Sequence, residues 1–304
     1  MRKKVLIVGD IIVDKYWSGD SHRMSPEAPV PIVKISSVED RLGGAANVAN
    51  NIAHLRGDCL IIGIVGDDPD GRNVMNLFEK NSILSSLVVS ADSPTITKLR
   101  ISSRNQQMIR CDFEETPSVS DINRITSLFV DNIDSCDLVI LSDYGKGALH
   151  NVDELIKIAL DKGKEIFIDP KGEDYFKYRG ATAITPNKSE LRAIVGNWNS
   201  EDELIEKAQS LRKELNIKYL LLTRSEEGMT IFSDNGEINI SAQAKEVFDV
   251  SGAGDTAIAV LGMAYLNETS FESAVRLANK AAGIVVGKFG TSVIEYSEVF
   301  DTNG

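Results

Sequence analysis

Cysteine is scarce. Cys59, Cys111 and Cys136 are the only three in 304 residues; they stand far apart, form no CxxC pair and leave one over if any two joined. Neither a disulfide framework nor a thiolate metal site is indicated, and reduced core thiols are the simpler reading. Histidine is equally thin: His22, His54 and His150 are scattered, with no HExxH and no pair at helical spacing, which argues against a zinc enzyme. Long hydrophobic runs are missing too. The longest, around 256–266, falls far short of the ~18 residues a membrane span needs. The start, Met1 to Lys4 followed by VLIVGD, has the basic residues of a signal peptide but an apolar run that soon meets Asp10. A cytoplasmic, soluble protein is expected. Positive charge is in deficit, with 33 Lys+Arg against 45 Asp+Glu and a net charge of −12. A general nucleic-acid or acidic-membrane binder would need the opposite field, so any phosphate site must be built locally. No internal repeat, low-complexity tract or linker divides the chain, and a single domain over 1–304 is expected.

What is present is a recurrence of short apolar runs: VLIVG (5–9), CLIIGIVG (59–66), DLVILSDYG (137–145), EIFIDPKG (165–172), ATAITPN (181–187) and KYLLLTR (218–224). Runs apolar on successive residues read as strands buried on both faces, as in a mostly parallel sheet covered by helices. The segments between have helical spacing. After Gly43 and Gly44, for example, Ala45, Val48, Ala49 and Ile52 recur at i, i+3, i+4 and i+7, while Asn47 and Asn51 share another face. The spacing predicts a three-layer α/β/α fold.

Two segments break this rhythm. In 97–113, Leu99 and Ile101 alternate with Lys98, Arg100 and Ser102, then Ile109, Cys111 and Phe113 alternate with Arg110 and Asp112, a hairpin pattern with a polar turn. The stretch 25–35 holds three of the eight prolines, which permits an edge strand or extended loop but not a central strand. A small antiparallel flap of about four strands, inserted from about 12–40 and 95–114, is predicted. Such a sheet does not fold alone.

The stretch FDVSGAGDTAIAVLGMAYL (248–266) carries the most chemistry. Gly252, Ala253 and Gly254 open an almost wholly apolar helix with Asp255 in its first turn, where free backbone N–H groups and the helix dipole favour an anion. A tight turn with Asp255 as a cap is the plainer alternative. Gly252, Gly254 and Ala257 formally fit GxGxxA, but the following segment 271–287 has helical spacing, so the strand that a dinucleotide fold requires is absent. The segment GDDPDGR (66–72) has Walker-like glycine spacing but no Lys-Ser/Thr, and would aim three aspartates at a phosphate.

DVSGAGDT resembles the C-terminal signature of the ribokinase-like (pfkB) sugar kinases, usually DTGAGD. VGDIIVDKYW (8–17) with RLGGAANVANNIAHLRG (41–57) resembles their N-terminal signature. The resemblance runs from about Val5 to about Val299. Within that family, SHRMSPEAPVPIVK, RNQQMIRCDFEE, LSDYGKGAL and IDPKG are similar to the branch that phosphorylates D-glycero-β-D-manno-heptose 7-phosphate at O1, in ADP-heptose biosynthesis. With no HxGH motif, the chain resembles the form not joined to a nucleotidyltransferase.

The resemblance implies a role for each matching residue. Asp255 would be the general base for attack on ATP, with Gly252, Ala253 and Gly254 as an anion hole. The helix dipole is expected to lower the Asp255 pKa, leaving positioning more important than basicity. Asp14, Gly43, Gly44 and Asn47 would hold the sugar. The alternatives are a turn aspartate for Asp14 and helix capping for Asn47. A phosphorylated substrate needs cations, available at Lys98, Arg100, Arg104, Arg110 and Lys171. Arg104 and Arg110 are favoured because they lie in the family-like string RNQQMIR, although charges on a flap also guard an edge from aggregation. Asp143, Tyr144 and Lys146 are further sugar candidates. Asn187 and Glu190 match the family's NxxE for Mg²⁺ and ATP phosphates, with Lys188 and Ser189 between them; the same residues read as a capping box. Thr223, Ser225 and Gly228 would lie on the adenosine side. Asp249, near Gly290, matches a monovalent-cation region, where K⁺ is a candidate, although Ser251 replaces the common Thr. A homodimer through the flap is expected, because a thin sheet with one apolar face needs a partner. The remaining readings are a kinase of another sugar or hexose phosphate, a non-catalytic sugar-phosphate sensor, and the dinucleotide oxidoreductase already weakened.

Overall fold

The first apolar run shows how the chain is layered. In a computed structural model describing residues 3–104, 106–243, 247–267 and 270–300, strand β1 (Lys4–Gly9) sends Val5 and Ile7 into one hydrophobic core and Leu6 and Val8 into another. Alternate residues leave opposite faces of a strand, so a run apolar throughout needs a helical layer on each side. The same split recurs in β4 (Asp58–Gly66), with Cys59 and Ile61 against Leu60 and Ile62, and in β8 (Leu138–Ser142), with Leu138 and Ile140 against Val139 and Leu141. Each such side chain, fully buried, contributes roughly 1.5–3 kcal/mol.

The other strands of this sheet are β5 (Leu84–Ser90), β9 (Glu165–Asp169), β10 (Ala183–Ile184), β11 (Tyr219–Thr223), β12 (Met229–Ser233) and β13 (Gly236–Ile240). Their spatial order is β13-β12-β11-β10-β9-β8-β1-β4-β5. All neighbours are parallel except β11 with β12 and β12 with β13. Residues of helices α1 (Ala45–His54), α2 (Pro69–Lys80), α7 (Ala253–Tyr265), α8 (Phe271–Val285) and α9 (Tyr296–Phe300) join the core on one face. Residues of α3 (Val119–Asn132), α4 (Val152–Asp161), α5 (Lys188–Val195) and α6 (Glu201–Glu214) join the other. The three predicted layers are present. Helix α7 is buried at every position from Asp255 to Ala264, as its all-round apolar sequence demands.

The flap is a second sheet, ordered β3-β2-β6-β7. It pairs β2 (Ile11–Met24) with β3 (Pro31–Gly44), and β6 (Ile96–Ser103) with β7 (Gln106–Phe113), both antiparallel as expected, but the two hairpins join through a parallel β2–β6 pair, so the flap is not antiparallel throughout. The proline-rich stretch divides: Ser25 to Val30 form the connection and Pro31 begins an edge strand, where a missing N–H costs no ladder bond. Asn105, in the predicted polar turn, lies outside the described residues. Two of the aspartates of 66–72, Asp68 and Asp70, anchor this lid. Asp68 caps α2 and accepts from the N–H and Oγ1 of Thr95, while Asp70 accepts from Lys15 Nζ (2.5 Å) and Thr97 Oγ1 (2.9 Å).

Register gives the lid two unlike faces. Asp14, Tyr16, Arg41, Lys98, Arg100 and Arg110 share one, and Trp17, Val38, Ile101, Ile109, Cys111 and Phe113 share the other. Among the described residues no helix is long and apolar enough to cross a membrane.

Candidate active site

The chain passes from β1 into the lid and returns to pair β4 on one side of β1 and later β8 on the other. Ligands of open α/β sheets bind outside the strand carboxyl ends at such a switch point. Asp255 stands there, at 2% exposure in the first turn of α7. Its Oδ1 accepts from the Tyr144 hydroxyl (2.7 Å) and its Oδ2 from Asn47 Nδ2 (2.9 Å). Burial pushes its carboxyl up to about 6, against these two hydrogen bonds and Lys98, which favour the anion. The expectation that the helix dipole would leave its pKa lowered is therefore corrected: loss of water around the carboxylate outweighs the dipole.

Behind Asn47, Asn51 donates to the Asn47 carbonyl (2.9 Å) and to Oδ1 (3.1 Å), while its own Oδ1 accepts from Ile294 N–H (3.0 Å). The side chain that touches Asp255 is thus locked. In front of α7, Gly252 adopts φ 77°, open to glycine at little cost. The N–H of Ala253 already donates to Val250 O (3.2 Å), so the anion donors left on this turn, among the described residues, are those of Gly252, Gly254 and Asp255.

Asp14 lies in β2 and not in a turn. It is 4% exposed, and Arg100 Nη1 donates to its Oδ1 at 2.6 Å. Gly43 is needed here because a Cβ would come within 2.4 Å of Asp14 Oδ2. Lys98 stands 5.4 Å from the Tyr144 ring centroid, and burial pushes its pKa down. Lys98, Arg100, Asp14 and Asp255 therefore converge.

Beside them, on the far side of Gly252 and Gly254, is a cleft of about 230 Å³ lined by Asp169, Lys171, Asn187, Glu190, Thr223 and Ala257 among others. Glu190 closes a capping box with Asn187 and also accepts from Lys171 Nζ (2.8 Å), so cap and charge pair coexist. Asp169 accepts from Thr185 Oγ1 (3.2 Å); burial, then Asp255 and Glu190, push its carboxyl well up. A cation here would relieve that repulsion. Among the described residues no group of three His, Cys, Asp or Glu could cage a metal.

A cationic lid over a buried carboxylate at a helix N-terminus, beside an acidic cleft, is a layout that suits phosphoryl transfer. A family model described as pfkB family carbohydrate kinase matches residues 2–296. The chain belongs to the pfkB carbohydrate kinase family. It is 46% identical over 298 residues to the D-beta-D-heptose 7-phosphate kinase of Bordetella bronchiseptica, covering 98% of this chain and 95% of that protein. Against the bifunctional protein HldE of Histophilus somni it is 48% identical over 304 residues, covering 98% of this chain but only 63% of that protein. The fold is that of phosphofructokinase-2 from Escherichia coli in complex with potassium, with TM-score 0.82 and 18% identity over 99% of this chain and 98% of that one.

Not every sequence candidate in this pfkB kinase reaches the site. Arg110 is the cross-strand neighbour of Arg100 but is bonded to Asp112 (2.9 Å), and Arg104 sits at the β6 end against His22 Nδ1 (2.8 Å). The half-buried lid cations beside Asp14 are Lys98 and Arg100. Asp143 has both oxygens engaged, by Gly145 N–H, Lys177 and Tyr178, and Lys171 lies on the cleft side with Glu190. Thr223 and Asn187 line the cleft, whereas Lys188 pairs with Glu227 and Ser189 bonds Asn187 outside it. Ser225 and Gly228 form the turn between β11 and β12; a Cβ on Gly228 would lie 2.1 Å from Ile240 O, which explains the glycine. Asp249 accepts from Ser251 and Gly290 N–H groups, which outweigh burial and hold its carboxyl below the usual range.

Sequence reasoning passed over Asp10, Asn51 and Asp169. Each had a signal: an acid directly after a fully apolar strand, an Asn pair at i, i+4, and an acid ending a buried strand.

Proposed function

We propose that this kinase transfers the γ-phosphoryl group of ATP to O1 of D-glycero-β-D-manno-heptose 7-phosphate, giving the 1,7-bisphosphate and ADP on the route to ADP-heptose for bacterial surface glycans. The observation that carries the reading is the near full-length identity with the Bordetella protein named for that substrate. The lid supports it, since Lys98 and Arg100 share the face beside Asp14 and suit a sugar with a phosphate far from its reacting end.

In this reading Asp14, Gly43, Gly44 and Asn47 bind the sugar and set O1 against Asp255. Asp255 takes the O1 proton as the new O–P bond forms and the bond from the γ-phosphorus to ADP breaks. With its carboxyl near 6, Asp255 is ionised at neutral pH yet a stronger base than an exposed aspartate. The free N–H groups of Gly252 and Gly254 receive charge on the transferring oxygens. Asn187, Thr223, Asp169, Lys171 and Glu190 line the nucleotide side, and Asp169 with Glu190 would hold Mg²⁺, which neutralises phosphate charge when bound. Asp249 is the candidate ligand for K⁺, the ion named with the Escherichia coli neighbour. The chain acts as one cytoplasmic kinase domain, paired into a homodimer through the apolar lid face, where Ile109 and Phe113 are 52% and 53% exposed.

Phosphorus NMR of Mg-ATP with a panel of sugar phosphates and free sugars tests the substrate. A new anomeric phosphate on the heptose 7-phosphate is expected. Preferred transfer to a hexose phosphate, ribose or fructose would give the family's chemistry another acceptor, and no transfer to any sugar would favour a sensor.

A further inference from the structure

Asp10 follows β1 at the switch point and is 1% exposed, and among the described residues it has no ion pair to a cation. A buried carboxylate without a counter-ion is costly and must be held by hydrogen bonds. Among the described residues the bonds of its carboxylate are all to backbone. Oδ2 accepts from the N–H groups of Tyr144 (2.9 Å) and Lys146 (3.0 Å), and Oδ1 accepts from Ala148 N–H (3.0 Å). The Asp10 carbonyl accepts from Ala45 N–H (3.0 Å), the first residue of α1. A Cβ on Gly44 would lie 2.6 Å from that carbonyl, so the approach is as close as glycine permits. The two segments tied to Asp10 are those that carry the partners of Asp255: Tyr144 on the loop after β8 and Asn47 in the first turn of α1.

We infer that Asp10 is a positioning residue for phosphoryl transfer, its carboxylate fixing the Tyr144 loop and its carbonyl fixing α1 so that both hydrogen bonds to Asp255 are set from one point. The inference rests on Asp255 as the base. It has a consequence that a merely structural role lacks. Tyr144 favours the ionised form of Asp255, so a loop that drifts lets the Asp255 pKa rise. The other charged groups facing Asp255 are Asp14 from β2, Lys98 from β6 and Asp169 at the end of β9, and none is bonded to Asp10.

The test compares Asp10→Ala, Asp10→Asn, Tyr144→Phe and the Asp10→Ala/Tyr144→Phe double variant by kcat against pH, per folded molecule, with Asp255→Asn in parallel. Asp10→Ala is expected to lower kcat about tenfold or more with KM for ATP little changed, and to move the acid limb up by about one pH unit, as Tyr144→Phe does. Asp10→Asn, which keeps one oxygen for the loop, should lie between it and the native protein. The double variant should be no worse than the poorer single. An unmoved acid limb, or effects that multiply in the double variant, overturns the inference while leaving the base intact. Turnover by Asp255→Asn overturns the base and this inference together. If the Asp10 variants do not fold, hydrogen exchange of the native protein decides: slow exchange at the Tyr144, Lys146 and Ala148 amides supports the clamp, and exchange as fast as an open loop refutes it.

Discussion

Gly43→Ala is a one-methyl test of the sugar side. The new Cβ would lie 2.4 Å from Asp14 Oδ2 and 3.0 Å from Asp14 Cγ. Ordinary carbon–oxygen contact is about 3.4 Å or more, so roughly 1 Å must be found. The carboxylate is not free to yield it, because Arg100 holds the other oxygen at 2.6 Å and both side chains are largely buried. Nor is the strain in the backbone, since Gly43 does not occupy the left-handed region. Overpacking of this kind costs ~1–3 kcal/mol. In a chain of this size that corresponds to a fall in Tm of roughly 2–5 °C. A reacting group displaced by 1 Å costs on the order of 100-fold in rate. Steady-state kinetics with the sugar phosphate and ATP varied in turn should therefore show kcat/KM for the sugar down about 30- to 100-fold, with KM for ATP within about twofold. On an Asp14→Ala background, Gly43→Ala should cost almost no further stability, because the atoms it strikes are gone. Native kcat/KM in Gly43→Ala, or an undiminished stability loss on that background, would refute the steric argument.

Asp255→Asn should be more stable than the native protein at pH 8, although inactive. The folded carboxyl is raised from 3.8 to about 6, so its stabilising contribution is present at low pH and lost as pH climbs through about 6. The difference should reach about 1–3 kcal/mol at pH 8 and vanish near pH 4, read by urea unfolding. Glu190→Gln should raise KM for Mg-ATP several-fold while sparing KM for the sugar phosphate, and chelation of divalent metal should abolish transfer. Ile109→Glu, on the apolar lid face, should give monomers by light scattering; an unchanged dimer would move the interface elsewhere.

Much of this architecture was legible in the chain. Runs such as VLIVG and LVILS are apolar at successive residues, and only a sheet covered on both faces accommodates that. The lid hairpin was legible from alternation, and Asp255 from an apolar helix opening on GAG. What could not be read was register. Lys98, Arg100 and Arg104 all lie in the first half of one hairpin, and only the pairing of β2 with β6 reveals that Lys98 is opposite Asp14 while Arg104 falls at the far end. The Asp255 pKa was misjudged for a related reason. The helix dipole is local and visible in sequence, whereas the burial that outweighs it, and the Asn47 and Tyr144 hydrogen bonds that oppose that burial, come from tertiary packing of segments distant along the chain. Asp10 was read as the end of an apolar run because its three partners lie more than 130 positions away.

The central claim is that phosphoryl transfer runs through Asp255, held ionised in a buried site between lid and sheet. The pH dependence of kcat, at saturating Mg-ATP and heptose 7-phosphate, tests it most directly, with Asp255→Asn as the reference. The rate should be level above pH 7 and bend near pH 6, then fall about tenfold per pH unit below it, and the variant should lose at least 100-fold at every pH. A profile flat from pH 5 to 8, or near-native turnover by Asp255→Asn, would contradict the account.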